Sequence, residues 1–301
     1  MIVKASVGIA QQLFRHLNPT SCVILCVRPA IFSLFLCFAA FGQTADEIMA
    51  KVAENQTRSE DARSAWVYRQ DVLVRLLRSG GKLAREEDRQ YTVTPSANGV
   101  EREMARFSGK YVDHGKEIAI SKPGEEHKDV DLDASIAEAL GDTIGGDDES
   151  RDGVSYDFFP LDAGKQKAYT FKLRGSETWR EHEVFRITFE PAKKKDDDDD
   201  RPIWAGEALI DKTDFAPVLI TTHQARGIPL AVKTLLGTNL QQLGFKITYR
   251  KFDNGVWFPV SYSGEFKLRA LFLYSRTISM GLVNSDFRHA DVQSEVHFEK
   301  P

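Results

Sequence analysis

With 301 residues, 42% hydrophobic and 28% charged, the chain has the composition of a folded globular protein, and its length allows one all-β domain plus a leader. A formal charge of −4 argues against a basic polyanion-binding surface, since phosphate affinity is built from clustered Lys and Arg, so no nucleic-acid partner is expected. All three cysteines (Cys22, Cys26, Cys37) fall in the first 42 residues, which leaves the remainder without a possible disulfide, thiolate metal site or cysteine nucleophile.

Those first 42 residues carry Lys4, Arg15 and Arg28 and no acid. An apolar run from Ala30 to Phe41 follows, then Gly42-Gln43-Thr44-Ala45 and an abrupt change to charged sequence. This is the order of a secretory signal peptide, and cleavage is expected near Gly42. A spanning helix wants about 20 apolar residues, and Arg28-Pro29 cut this run short, so no stable membrane span is expected after cleavage. Cys37 follows Leu34-Phe35-Leu36 rather than the small residue that precedes a lipid-attachment cysteine. Loss of the leader takes the formal charge from −4 to −7.

Thr44-Ala45-Asp46-Glu47 reads as a capping box, with Ile48, Val52 and Gln56 at i+4 spacing and Met49 and Ala53 beside them. The spacing predicts a helix that lies on something larger and ends between Arg58 and Arg63. Trp66 to Val93 predicts a hairpin turning at Ser79-Gly80-Gly81-Lys82, and its charged return strand suggests one wet face of an antiparallel sheet. After a turn at 95–99, Glu101 to Phe107, then Tyr111, Val112, Ile118 and Ile120, read as short strands broken at Ser108-Gly109 and at Asp113-His114-Gly115. Residues 123–153 form an insertion with a short helix from Asp133, stopped by Gly141, that reads either as a lid over a sheet or as a surface insertion.

Strand patterns resume at Tyr156 to Phe159, Tyr169 to Leu173 and Val184 to Phe189. Lys193 to Asp200 is a charge block, a second insertion, read as a solvated hairpin tip because it lacks the Gly and Glu spacing of a calcium loop. Trp204 to Ile210 and Phe215 to Thr222 form a hairpin around Asp211-Lys212-Thr213-Asp214. Residues 224–244 read as a short helix or an irregular crossing. Phe245 to Met280 alternates apolar and polar residues about Asn254-Gly255, a dipeptide suited to a two-residue type I′ turn. That turn pairs Ile247 with Tyr262, Tyr249 with Val260, Thr248 with Ser261 and Phe252 with Trp257. Pro259 cannot donate to a ladder and marks an edge, a bulge or a strand end. A break is expected near Arg269-Ala270, and Ser285 to Glu299 reads as a final strand.

No GxSxG, GxGxxG or GxxxxGK[ST] pattern is present, and the six histidines after the leader show neither i, i+4 nor HxH pairing. No enzymatic role, cofactor or metal is expected. A carboxylate-dependent hydrolase would draw on Glu207 and Glu265, which sit in apolar strand contexts and are read as solvent-facing.

The Ala45 to Ile48 helix start, the antiparallel meander and the hairpin GEALIDKTDFAPVLI (Gly206 to Ile220) together resemble outer-membrane lipoprotein-sorting proteins. Leu235 to Thr238 and Val256 to Val260 are similar to a subgroup without assigned function. The resemblance implies a LolA-like α+β fold, mainly β: a curved, incompletely closed antiparallel sheet or half-barrel with helices packed on the concave side, formed as one domain over 43–301. It implies a periplasmic, non-catalytic carrier or sensor whose partner is a lipid or lipoprotein acyl chain held in an apolar cavity. Phe171, Phe185, Ile187, Trp204, Phe245, Ile247, Tyr249, Phe266 and Phe272 are the candidate ligand-facing residues. An envelope scaffold with a filled core, recognising a protein partner through a strand edge, is the other reading.

Overall fold

The computed structural model describes residues 43–96, 99–128, 131–144, 159, 161–192, 203–226, 239–241, 244–252, 254–270 and 274–290. The chain divides into two compact units, Met1–Gly42 and Gln43–Pro301, and the second holds every described residue. Its elements run α1 (Ala45–Arg63), β1 (Trp66–Leu77), β2 (Leu83–Ser96), β3 (Gly99–Asp113), β4 (Lys116–Ile120), α2 (Leu132–Ile144), α3 (Ala163–Gln166), β5 (Tyr169–Trp179) and β6 (His182–Pro191). They continue with β7 (Ile203–Asp211), β8 (Pro217–Arg226), β9 (Asn239–Gln241), β10 (Gly244–Lys251), β11 (Trp257–Ala270) and β12 (Tyr274–His289). Among the described residues no helix is long and apolar enough to cross a membrane.

The predicted capping box starts α1: the Glu47 amide donates to Thr44 Oγ1 at 3.2 Å, and the Thr44 amide donates to Glu47 Oε2 at 2.9 Å. Two orphan donors of the first turn are thereby satisfied. Ile48, Met49, Val52, Ala53 and Gln56 form its buried stripe, and the helix ends at Arg63, inside the predicted window.

One antiparallel sheet carries the strands in the order β4-β3-β2-β1-β12-β11-β10-β8-β7-β6-β5, with β9 paired to β11 off this path. It is open, with β4 and β5 at its edges, as expected. Strands stand about 4.8 Å apart, so eleven laid flat would be about 48 Å wide, against about 28 Å for a 19-residue helix. Yet α1, α2 and residues from β1 to β12 share a single buried cluster. The sheet must therefore curve around its helices.

One row of residues can be followed across that inner face, each directly opposite the next: Phe171, Phe189, Gly206, Thr222, Phe245, Gly264, Met280, Val74, Glu87, Gly109 and Ile120. Three of its eleven positions are glycines, each beside a large side chain. A Cβ on Gly206 would lie 3.0 Å from the Phe189 ring, one on Gly264 3.0 Å from the Phe245 ring, and one on Gly109 2.6 Å from Ile120. Each glycine thus makes room for its cross-strand neighbour. At Gly206 the backbone also intrudes, since the Cβ would meet the Thr221 carbonyl oxygen at 2.1 Å. Gly206→Ala is therefore expected to cost about 1–3 kcal/mol by overpacking, read as a lower urea midpoint. A midpoint equal to wild type would contradict this packing.

Several boundaries differ from expectation. Strand β3 runs unbroken through Ser108-Gly109, because Gly109 serves the packing of Ile120 rather than a turn. Helix α2 continues past Gly141 to Ile144, and the space left by the missing side chain holds the Arg89 guanidinium, which a Cβ there would meet at 2.4 Å. Ser285 to His289 continue β12 from Tyr274 rather than starting a new strand.

The turn after β10 is also longer than two residues. Gly255 donates to the Phe252 carbonyl at 2.8 Å and takes φ 84°, Asn254 stays outside the left-handed region, and Phe252 donates to the Val256 carbonyl at 2.9 Å. The turn is thus closed by a left-handed glycine. The positive-φ pair occurs instead at His114 (48°) and Gly115 (81°), between β3 and β4. Ile247–Tyr262 and Thr248–Ser261 pair as predicted, but the register then shifts, so that Tyr249 faces Pro259 and Lys251 faces Trp257. Pro259 sits at this bulge, and its carbonyl accepts from buried Asn284 Nδ2 at 3.0 Å. The break expected near Arg269-Ala270 matches the end of β11. The charge block 193–200, the crossing at 227–238 and the leader lie outside the described residues.

Candidate functional site

Two different chemistries cover the inner face. From β6 to β1 it is mostly apolar, with Ile187, Ala208, Ile220, Ile247, Tyr262, Leu282 and Val72 forming a second complete cross-strand row. On β2 it turns charged, because the alternation Arg85-x-Glu87-x-Arg89 directs all three side chains inward, where each is 0% exposed. The wet face expected of this strand is in fact its other side. Arg85 Nε donates to Glu87 Oε1 at 2.7 Å and Arg89 Nη2 donates to Glu87 Oε2 at 2.7 Å, so one carboxylate bridges two guanidinium groups.

Helix α2 is fastened to this stripe. Arg89 donates to Asp142 at 2.9 Å and to the Ala137 carbonyl at 3.0 Å, while Arg85 reaches the Glu125 carbonyl at 3.0 Å and lies 3.7 Å from Asp131. Asp131, which accepts from the Ala134 amide at the start of α2, also meets His127 Nδ1 at 2.5 Å, and the His127 ring stacks on Tyr111. On the other side Asp133 takes a two-pronged contact from Arg276, 2.8 Å at each oxygen, and the Tyr274 hydroxyl at 2.6 Å. Burial pushes the Asp133 carboxyl upward, but these donors outweigh it and hold it below the ordinary range. Burial also opposes the charge of Arg89, and the Glu87 carboxylate more than restores it.

Helix α1 is held differently. Its stripe packs into the main cluster, and its C-terminal half is tied to two turns: Asn55 Nδ2 donates to the Asp214 carbonyl at 2.5 Å and buried Arg63 donates to the Trp257 carbonyl at 3.0 Å. Asp214 accepts from Trp257 Nε1 at 2.8 Å and pairs with Lys251 at 2.6 Å; burial works to raise its carboxyl, and these two donors lower it. An open cleft of about 480 Å³ lies between α1 and the β7–β8 and β10–β11 turns, and beneath it a gap of about 10 Å³ reaches Val52, Gln56, Tyr249 and Trp257. A second open groove of about 420 Å³ crosses β8, β10, β11 and β12.

Of the nine candidate residues, Ile187, Trp204, Phe245, Ile247, Tyr249 and Phe266 are buried in the main cluster, and Phe171 and Phe185 are half-buried against it. Trp204 meets Phe245 edge-to-face at 5.1 Å. Phe272 lies outside the described residues. The eight are brought to one face of one sheet. Glu207 and Glu265 are not brought together: Glu207 pairs with Arg186, Glu265 is exposed, and two strands separate theirs, roughly 14 Å at the usual strand spacing. Among the described residues no group of three or more His, Cys, Asp or Glu is placed to hold a metal.

Sequence reasoning passed over the Arg85-Glu87-Arg89 stripe, Asp133 with Arg276, and Gln56 with Trp257. The period-2 charges of β2 were the one available signal for the first. Nothing local marks the others.

Comparison with known proteins gives likeness of layout alone. No family model matches the chain. No curated protein matches it either. Among solved structures it is similar to a LolA superfamily protein from Nitrosomonas europaea, at 13% identity over 83% of this chain and 96% of that one, with a TM-score of 0.34. A DUF1329 family protein from Desulfovibrio piger is similar at 11% identity over 84% and 96%, with a TM-score of 0.33. The first bears the family name that the sequence resemblance suggested.

Proposed function

We propose that the protein is an exported, non-catalytic carrier or sensor of the periplasm, released from a leader ending near Gly42, that binds a lipid or lipoprotein acyl chain against the inner face of its sheet. The observation that carries this reading is the contrast between wall and covers. The wall is mostly apolar from β6 to β1, whereas α1 is a separate segment laid on it, tied to two turns at its C-terminal half and to α3 by one bond, from Gln166 Nε2 to the Met49 carbonyl at 2.9 Å. With α1 seated the gap beneath its C-terminal half is small, so an acyl chain takes the place of the N-terminal part of the stripe, while the bonds of Asn55 and Arg63 keep Gln56 on the wall.

Magnitudes permit that exchange. Ile48 and Met49 at about 1.5–3 kcal/mol each give roughly 3–6 kcal/mol of burial, while about 14 methylenes at about 0.8 kcal/mol each give roughly 11. The protein purified without detergent is expected to show a bound acylated species in native mass spectrometry, or to take up a fluorescent fatty acid. Absence of both would remove the reading. The tightness of the α1 contact favours a second one, an interaction scaffold with a filled core. That scaffold would be left standing by the same negative result.

A further inference from the structure

We infer that the cleft between α1 and the β7–β8 and β10–β11 turns seats the carbonyl end of an acylated ligand, an ester or an amide, with the side-chain amide of Gln56 as its hydrogen-bond donor. This rests on the acyl-chain reading and adds to it the chemistry of the ligand's head. Gln56 belongs to the buried stripe of α1 at 8% exposure, and its Nε2 has no acceptor. An unpaired buried donor carries a desolvation penalty that an arriving acceptor relieves. The gap it lines, about 10 Å³, suits a single oxygen atom.

Position supports the same assignment. The inner walls of the gap are Val52, Tyr249 and Trp257, members of the main apolar cluster, and its outer side shares Asn55, Ser59, Phe215, Ala216 and Trp257 with the wide cleft. The gap thus joins the apolar wall to the open cleft. The cleft beyond is lined by Arg58, Thr213, Asp214 and Asn254, polar groups suited to a glycerol or peptide remainder. Arg63 also lines the gap, and its Nη1 already donates to the Trp257 carbonyl.

The test compares the wild-type protein with Gln56→Leu and the equally unbranched Gln56→Met, using three pyrene-labelled probes: a monoacylglycerol, an N-acylated dipeptide and an alkane without a carbonyl. Loss of one hydrogen bond is expected to weaken the ester, the amide or both about tenfold in each variant while alkane binding is unchanged. Which of the two carbonyl probes responds separates a lipid source from a lipoprotein source. Because Nε2 is unpaired, neither variant is expected to lower the melting temperature. If the carbonyl probes bind the variants as they bind wild type, Gln56 holds a water only and the inference falls with the acyl-chain reading intact. Equal weakening of all three probes also overturns it, as a general disturbance of the wall. If no probe binds any of the proteins, both fall.

Discussion

Glu87→Leu is expected to cost about 3–5 kcal/mol of stability, because it removes the carboxylate shared by two buried guanidinium groups and leaves them only Asp131 at 3.7 Å and the exposed Asp142 as counter-ions. The size of the side chain is nearly conserved, so the cavity contribution is small. What is lost is the single carboxylate between Arg85 and Arg89, both without solvent exposure and both in contact with it. Gly124, whose amide points at Glu87 Oε1 from 3.4 Å, loses an acceptor as well. Urea unfolding measures the effect, and a loss under 1 kcal/mol would show that water reaches this stripe. The triple change Arg85→Met, Glu87→Leu, Arg89→Met is expected to recover most of the loss, since it removes the charges together. Recovery would identify the network as a device of specificity, holding α2 in one register, rather than a source of net stability.

Asp133→Asn is expected to cost a comparable 3–5 kcal/mol near neutral pH and to remove a pH dependence of the wild type. The folded-state carboxyl is held below its ordinary 3.8 by Arg276 and Tyr274 in spite of burial. A carboxyl lowered by folding contributes stability that is complete above its unfolded pKa and is lost as pH falls through the folded one. Wild-type stability should therefore drop from about pH 4 downward, and the Asn variant should be flatter there and lower above it. Tyr274 does not blur the measurement: burial and Asp133 push its phenol above the ordinary 10.0, so it remains a neutral donor throughout. Hydrogen exchange of α2 amides at pH 3 and pH 6 locates the change. Unaltered protection in α2 at the lower pH would mean that Asp133 is not its anchor.

Legibility followed the range of the forces concerned. Helix α1, the hairpin at Asp211–Asp214 and the apolar set Ile187, Phe245, Ile247 and Tyr249 are encoded by near neighbours, and each lies where its periodicity put it. Gly109 and Gly141 read as breakers because a glycine in isolation is one, whereas their roles are set by Ile120 and Arg89, distant in sequence. The charges of β2 read as solvated for the same reason. Alternation reveals that Arg85, Glu87 and Arg89 share a face, but only α2, some 40 residues on, makes that face the buried one. Gln56 was visible as a member of the α1 stripe. Its lack of a partner depends on Tyr249 and Trp257, brought beside it by a bulge that Pro259 hinted at without locating.

The strand order carries a consequence for how the chain reaches this state. Every neighbouring pair along the sheet is joined by a local hairpin or a short excursion, except β1 with β12, whose eleven-position ladder pairs Trp66 with His289 and Leu77 with Thr277. Two arrays, β1 to β4 and β5 to β12, can each assemble from nearby contacts, and the seam between them waits for a closure spanning about 200 residues. The entropy of so long a closure grows only logarithmically, but non-local pairing is slow. Until it happens Val72, Val74 and Leu76 have a ladder on one side alone, an apolar template open to other chains. Among the described strands, the last in chain order is thus the one that retires the aggregation hazard of the first.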